Sequence, residues 1–265
     1  MRSGSPLCLK EHDMIAVRRD TGAVSKPPTT GKRWQTAVGY THPLCEQILK
    51  EVNIMIAGTV GSGKSTLEKA VLHTGFTKNI HWVYIDFKGN ELKRFSKAPN
   101  CIGYASEPEV AIPLLKYVIE LMMGRFDRME QRDIDKTDEP PIWIVVDETA
   151  EFASLCGAEG LKLLARIGRM GRAANIHMML CTQNPSRGKD GGLPSALMQN
   201  ITSAIALRCR ASIESRQIIG IAGAELLPKY GKGYYWNGDG TRLVDIPFVP
   251  NEEIVARCNQ VRLVS

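Results

Sequence analysis

Residues Gly58-Thr59-Val60-Gly61-Ser62-Gly63-Lys64-Ser65 spell the pattern G-x-x-x-x-G-K-[ST], and that pattern dictates what must surround it. The apolar run Ile54-Met55-Ile56-Ala57 precedes it, and Thr66-Leu67-Glu68-Lys69-Ala70-Val71-Leu72, which can continue as a helix, follows. A strand that stops in glycines and restarts as a helix aims several backbone N–H groups at one point. The helix dipole favours an anion at that point as well. Lys64 can then reach the β- and γ-phosphates of a nucleoside triphosphate, and the Ser65 hydroxyl can hold Mg²⁺. A chance glycine-rich turn would not carry both flanks. The stretch Gly58, Thr59, Val60, Gly61, Ser62, Gly63, Lys64, Ser65 and Thr66 is therefore expected to bind a nucleoside triphosphate.

Short β-rich runs recur at 53–57, 81–86, 142–147, 175–181 and 203–208, with helical stretches between them at 64–73, 108–130 and 158–172. Apolar strands that alternate with helices predict an α/β fold, a mostly parallel sheet covered by helices on both faces. Two polar stretches read as loops: Gln131 to Pro141, closed by Glu139-Pro140-Pro141, and the glycine-rich Ser186 to Gly192. Near the end, Asn251-Glu252-Glu253 is a helix start signal. Residues 1–48, with the turn-rich Lys26-Pro27-Pro28-Thr29-Thr30-Gly31-Lys32, read as a short lead-in, and 49–265 as one domain.

Composition narrows the setting. No apolar stretch approaches the ~20 residues of a membrane span, and the N-terminus lacks the pattern of a signal peptide. Seven cysteines are widely spread with no C-x-x-C pair, as expected for reduced, mostly buried thiols, and no metal-binding cysteine cluster is legible. These features point to the cytoplasm, with membrane association only through a partner. The net charge of +6 permits nucleic-acid binding without requiring it.

A second chemical element is Ile142-Trp143-Ile144-Val145-Val146-Asp147-Glu148, a buried strand ending in two acids. Acids after an apolar strand often merely open a loop. Beside an intact phosphate loop they read otherwise: Asp147 holds Mg²⁺ opposite Ser65, and Glu148 polarises an attacking water. The extra strand at 81–86 and the strand-end glutamate favour hydrolysis over transfer to a small acceptor. In Leu180-Cys181-Thr182-Gln183-Asn184-Pro185 another strand runs into a polar turn, where Gln183 can sense the γ-phosphate.

From about residue 52 to 262 the chain resembles the FtsK/SpoIIIE family of DNA translocases, within the FtsK–HerA group of RecA-like P-loop motors. The marks are Ala57-Gly58-Thr59, Tyr84-Ile85-Asp86-Phe87-Lys88, Arg125-Phe126 and Val146-Asp147-Glu148. They continue with Arg172-Ala173-Ala174-Asn175-Ile176-His177, Thr182-Gln183-Asn184-Pro185-Ser186, Ser215-Arg216, Gly223-Ala224-Glu225-Leu226-Leu227 and Gly231-Lys232-Gly233-Tyr234. The resemblance implies a homo-hexameric ring that threads double-stranded DNA and hydrolyses ATP with Mg²⁺ at subunit interfaces. It also implies an arginine supplied in trans to the neighbouring site. Arg172 is the first choice, with Arg166 and Arg216 behind it. Arg166, Arg169 and Arg172 recur every third residue and are expected on adjacent parts of one helix face, where Arg169 could equally belong to a solvated basic surface. Arg187 and Lys189 sit where the family places pore-facing segments, so they are candidate DNA contacts or part of a plain surface loop.

This chain also departs from the family pattern. Asn184 stands where an arginine is common, and Gly168 and Gly171 replace better helix formers. No winged-helix module or membrane region is visible. Such a stripped motor looks more like those of conjugative elements, plasmids or phages, working with a membrane or transfer-complex partner protein. A HerA-like or packaging ATPase, or a scaffold that uses ATP only to assemble, are the alternatives.

Overall fold

Alternation within the strands decides the architecture. The computed structural model describes residues 34–35, 41–183 and 195–263. Its strands are β1 (Trp34–Gln35), β2 (Asn53–Ala57), β3 (His81–Ile85), β4 (Cys101–Ala105), β5 (Ile142–Val146), β6 (Ile176–Thr182), β7 (Ser203–Ala206), β8 (Lys232–Trp236), β9 (Thr241–Asp245) and β10 (Arg262–Leu263). Its helices are α1 (Pro43–Ile48), α2 (Lys64–Gly75), α3 (Pro108–Arg132), α4 (Thr149–Met170), α5 (Ser195–Met198), α6 (Ser212–Ile219) and α7 (Asn251–Gln260). Every residue of β2 to β7 is buried, as expected where helices cover both faces of a sheet.

Eight strands form one sheet in the order β4-β3-β5-β6-β2-β7-β8-β9. The six from β4 to β7 run parallel, and β8 and β9 add on antiparallel at one edge. On one face Ile54, Ile56, Trp82, Tyr84, Trp143, Val145 and Cys181 meet α1, α2 and α7 through Leu44, Leu67, Val71 and Ile254. On the other face Val83, Ile85, Ile144, Val146 and Leu180 meet α3 and α4 through Leu115, Val118 and Ile167. Met55, Ala204 and Ala206 carry that second face on to α6 through Ile218 and Ile219. Period-two alternation thus feeds two cores from one set of strands.

The α/β class with a mostly parallel sheet holds. Several expectations need correction. The strand β4 is absent from the sequence reading because Cys101-Ile102-Gly103-Tyr104-Ala105 mixes small residues into a short run. The hairpin β8–β9 was missed because β9 is an edge strand with little burial, the kind of charged edge that resists further pairing. The helix expected at 158–172 begins at Thr149, bends at Gly157 (φ 55°, ψ −152°), and stops at Met170. Arg172 therefore lies in the turn beyond the helix and not on one face with Arg166 and Arg169. The six described cysteines are all buried, and none of them forms a disulfide. Among the described residues, no helix is long and apolar enough to cross a membrane.

The glycines that end α4 are packing residues. A Cβ at Gly171 would lie 2.5 Å from the Ile176 carbonyl oxygen and 2.7 Å from that of Ile167. At Gly168 it would meet Met178 Cε at 2.8 Å and Asn200 Cβ at 3.0 Å. The backbone contacts at Gly171 cannot relax by turning a rotamer. Gly171→Ala is expected to destabilise by about 2–3 kcal/mol in urea unfolding, and Gly168→Ala, which meets a flexible methionine tip, by less.

Candidate nucleotide site

The phosphate loop leaves β2 and is folded over by its own contacts. Gly58 N–H donates to the Thr182 carbonyl (3.3 Å), Thr59 N–H to that of Arg208 (2.9 Å), and Ser62 N–H to that of Thr59 (3.1 Å). Gly61 and Gly63 take left-handed φ values of 72° and 101°, a conformation a side chain would strain. A Cβ at Gly58 would sit 2.6 Å from Ser62 Oγ and 2.8 Å from Leu207 Cβ. Lys64 lies back across the loop, its Nζ donating to the Gly58 carbonyl at 3.3 Å. Burial lowers its pKa, while the carboxylates of Glu148 and Asp147 act to raise it.

Two observations show that the loop suits an anion. Among the described residues no side chain caps the N-terminus of α2, so its first N–H groups are left for a ligand. The Ser62 hydroxyl is buried without a hydrogen-bond partner. For a divalent cation the candidate donors are Ser65 and Asp147. Asp147 is 7% exposed, and burial, with Asp86 second, raises its pKa to about 6. A carboxylate so penalised gains most from a cation brought close to it.

The acids arrive at the loop through sheet order. Strand β6 lies between β2 and β5, so the β5 end that carries Asp147 and Glu148 is one strand removed from the loop. The end of β6 fills that gap. The Glu148 carboxylate accepts hydrogen bonds from Thr182 Oγ1 (3.0 Å) and from Gln183 N–H (3.1 Å to each oxygen). Lys64, Asp147, Glu148 and Gln183 are thereby brought into one site, and Glu148 is tied to the segment that bears Gln183.

Arg172 is elsewhere. It is exposed, in the turn that leads into the N-terminal end of β6. The 7 residues of β6 separate it from Gln183 by about 20 Å at the usual rise of a strand, so it cannot serve the site of its own chain. The turn is held firmly. Arg125 on α3 is buried and donates to the carbonyls of Ala174 (2.7 Å), Asn175 (3.3 Å) and Pro140 (2.7 Å). Asn175, at φ 54°, donates its side-chain amide to Glu139 O (2.8 Å), and its Oδ1 accepts from His177 Nε2 (2.9 Å) in the tautomer that carries the proton there. Arg166 and Arg216 are exposed. The candidate DNA contacts Arg187 and Lys189 lie outside the described residues.

Two contributors escaped the sequence reading. Glu68, one turn into α2, is fully buried with neither carboxyl oxygen hydrogen-bonded. Burial, reinforced by Asp147, Glu91 and Asp86, holds its pKa well above the usual carboxylate range. Its signal was a charge on the buried side of an amphipathic helix. In the sequence Asp86 stands only as a mark of the family resemblance. Its carboxylate shapes the loop after β3 by accepting N–H bonds from Gly89, Glu91 and Leu92 at 2.9–3.0 Å.

Comparison with known proteins identifies the family. A model of the FtsK/SpoIIIE family matches residues 36–139 and 135–187, together more than half of the chain. DNA translocase SftA of Bacillus subtilis (strain 168) is 30% identical over 269 residues, which cover 93% of this chain and 28% of that protein. DNA translocase FtsK of Staphylococcus epidermidis is 29% identical over 248 residues, covering 83% and 30%. The chain thus spans less than a third of the length of these curated relatives. Among solved structures, the fold is similar to the pCW3 conjugation coupling protein TcpA in its monomer form with ATPgS. The TM-score there is 0.68 at 20% identity, over 79% of this chain and 66% of that one. ATPases 2 and 3 of EssC from Geobacillus thermodenitrificans give 0.71 at 18% identity, over 88% and 51%. Phosphate loop, strand-end acids, interposed β6 and family match agree, and the chain belongs to the FtsK/SpoIIIE family.

Proposed function

We propose that this chain is an ATP-driven motor domain that moves double-stranded DNA. The observation that carries the reading is the order β5-β6-β2, which sets a strand-end glutamate and a strand-end glutamine together beside a phosphate loop. Residues 58–66 cradle the phosphates, and Lys64 supplies the positive charge that the β- and γ-phosphates require. Ser65 and Asp147 would hold Mg²⁺, which supplies charge neutralisation on the phosphate oxygens when bound. Glu148 takes the proton of the attacking water, and Gln183, whose N–H holds that carboxylate, reports the state of the γ-phosphate to the chain beyond β6.

Arg172 supports a ring. Its fixed, exposed position at the far end of β6 suits it to a neighbour's site, where a guanidinium stabilises charge developing on the γ-phosphate. A closed homo-hexamer, with the loop bearing Arg187 and Lys189 turned to the DNA, is the assembly we propose. In that setting the motor works in the cytoplasm and reaches a membrane or transfer complex through a partner protein.

The test is Mg-dependent ATPase activity with and without duplex DNA across a salt series. DNA is expected to stimulate hydrolysis, with the stimulation falling steeply between 50 and 200 mM salt, on the order of a hundredfold or more in DNA affinity. Lys64→Ala should abolish both nucleotide binding and turnover. Hydrolysis indifferent to DNA at low salt would favour an assembly scaffold instead.

A further inference from the structure

The structure carries an aromatic and cationic wall beside the phosphate loop, on the side away from the acids. In the sheet β2 has β6 on one side and β7 on the other. Asp147, Glu148 and Gln183 all lie on the β6 side. A triphosphate whose γ end faces them must direct its base the other way, toward β7 and β8.

The chain builds a surface in that direction. Thr59 ties the loop to the end of β7 by donating its N–H (2.9 Å) and its hydroxyl (3.1 Å) to the Arg208 carbonyl. The segment after the 3-10 turn Ala224–Leu226 returns against the loop tip. Lys229 Cε lies 3.8 Å from where a Cβ on Gly61 would be. The Lys229 ammonium sits 5.1 Å from the centroid of the Tyr230 ring, and Tyr230 is 61% exposed. Gly231, at φ 82°, then turns the chain into β8, and its carbonyl accepts the Ile246 N–H at 3.0 Å, which anchors the base of the turn.

We propose that Tyr230 is the platform on which the base of the bound nucleotide stacks, and that Lys229 is the positioning residue behind it. The lysine stem packs on the phosphate loop and its charge braces the ring, so the platform is set at a fixed offset from the phosphates. The inference rests on the reading of residues 58–66 as the ATP site. Stacking recognises the face of any base, so this wall selects nucleotides over bare polyphosphates and does not choose one purine over another.

Calorimetric titration of the full chain with the Mg complexes of ADP, GDP and inorganic pyrophosphate tests this. Tyr230→Ala should weaken ADP and GDP about tenfold and leave pyrophosphate unchanged, while Tyr230→Phe stays within about twofold of wild type for all three. Lys229→Ala should weaken ADP in the same direction, and the double variant should be no weaker than Tyr230→Ala alone. Unchanged ADP affinity in Tyr230→Ala overturns the proposal, and so does an equal loss for pyrophosphate, which has no base to stack. Lys64→Ala separates the two levels. If it leaves pyrophosphate and ADP bound, the ATP-site reading fails and the platform with it. If it abolishes both while Tyr230→Ala changes nothing, only the platform is lost.

Discussion

Glu148→Gln is expected to lower DNA-stimulated ATP hydrolysis by about a thousandfold while ATP still binds within a few-fold of wild type. The figure is the usual worth of a positioned general base, about 10²–10⁴ in rate. The substitution is a clean probe because so little else changes. The Glu148 backbone opens α4 in an extended conformation that any residue can adopt. A glutamine oxygen can still accept from Thr182 Oγ1 and Gln183 N–H, the two donors that hold the carboxylate now. What is lost is the negative charge and the ability to take a proton. Phosphate release measured beside nucleotide binding therefore divides the two steps, and the variant should persist in its ATP-bound form. Hydrolysis within tenfold of wild type would remove Glu148 from its role. Lys64→Ala differs in kind, because it removes the charge that binds the phosphates and should lose both signals together.

The sequence displayed these groups to the extent that each sits in a short contiguous motif. Gly58 to Ser65 is legible because strand, loop and helix follow one another along the chain, and Asp147 and Glu148 are legible because a strand can be recognised from its own residues. The neighbours of a strand cannot. That β6 separates β2 from β5 depends on pairing between β2 and β6, partners such as Asn53 and Met178 that lie far apart in the chain, and only the fold reveals that Glu148 is held by Gln183 N–H. Glu68 was hidden for a related reason. Its place in α2 shows a charge on the core side, but Asp86 and Glu91 of the loop after β3, and Asp147 at the end of β5, which together with burial raise its pKa, come from two other places in the chain. Arg172 illustrates the opposite error. A repeat of three joined it to Arg166 and Arg169 on paper, but Gly171 ends the helix between them, and its backbone-limited contacts with Ile167 and Ile176 are not a local property of the sequence.

Arg125→Met is expected to cost about 3–5 kcal/mol in urea unfolding, the range found when one partner of a buried charged network is removed. Arg125 is 3% exposed and close to Glu139, with Nε 3.5 Å from its carboxylate. Burial lowers its pKa to about 10, with Glu139 acting to raise it, so it stays charged at neutral pH. Methionine fills much of the volume but leaves the carbonyls of Pro140 and Ala174 without the guanidinium that donates to them now, and Asn175 with the Ile142 N–H alone; acceptors stripped of a donor in this way are expensive. Arg125→Lys should fall between the two. A single ammonium retains the charge but cannot match the planar fork that reaches Pro140 and Ala174 at once. The loss should be local before it is global. Ile142 N–H, which donates to the Asn175 carbonyl, and Ile176 N–H, which donates to that of Gly171, should exchange hydrogen faster in the lysine variant than amides near the phosphate loop. Because the same turn carries Arg172, the lysine variant should lose more DNA-stimulated turnover than nucleotide affinity. Equal stability of Arg125→Met and wild type would show that the turn holds its shape without the guanidinium, and the fixed position assigned to Arg172 would then need another cause.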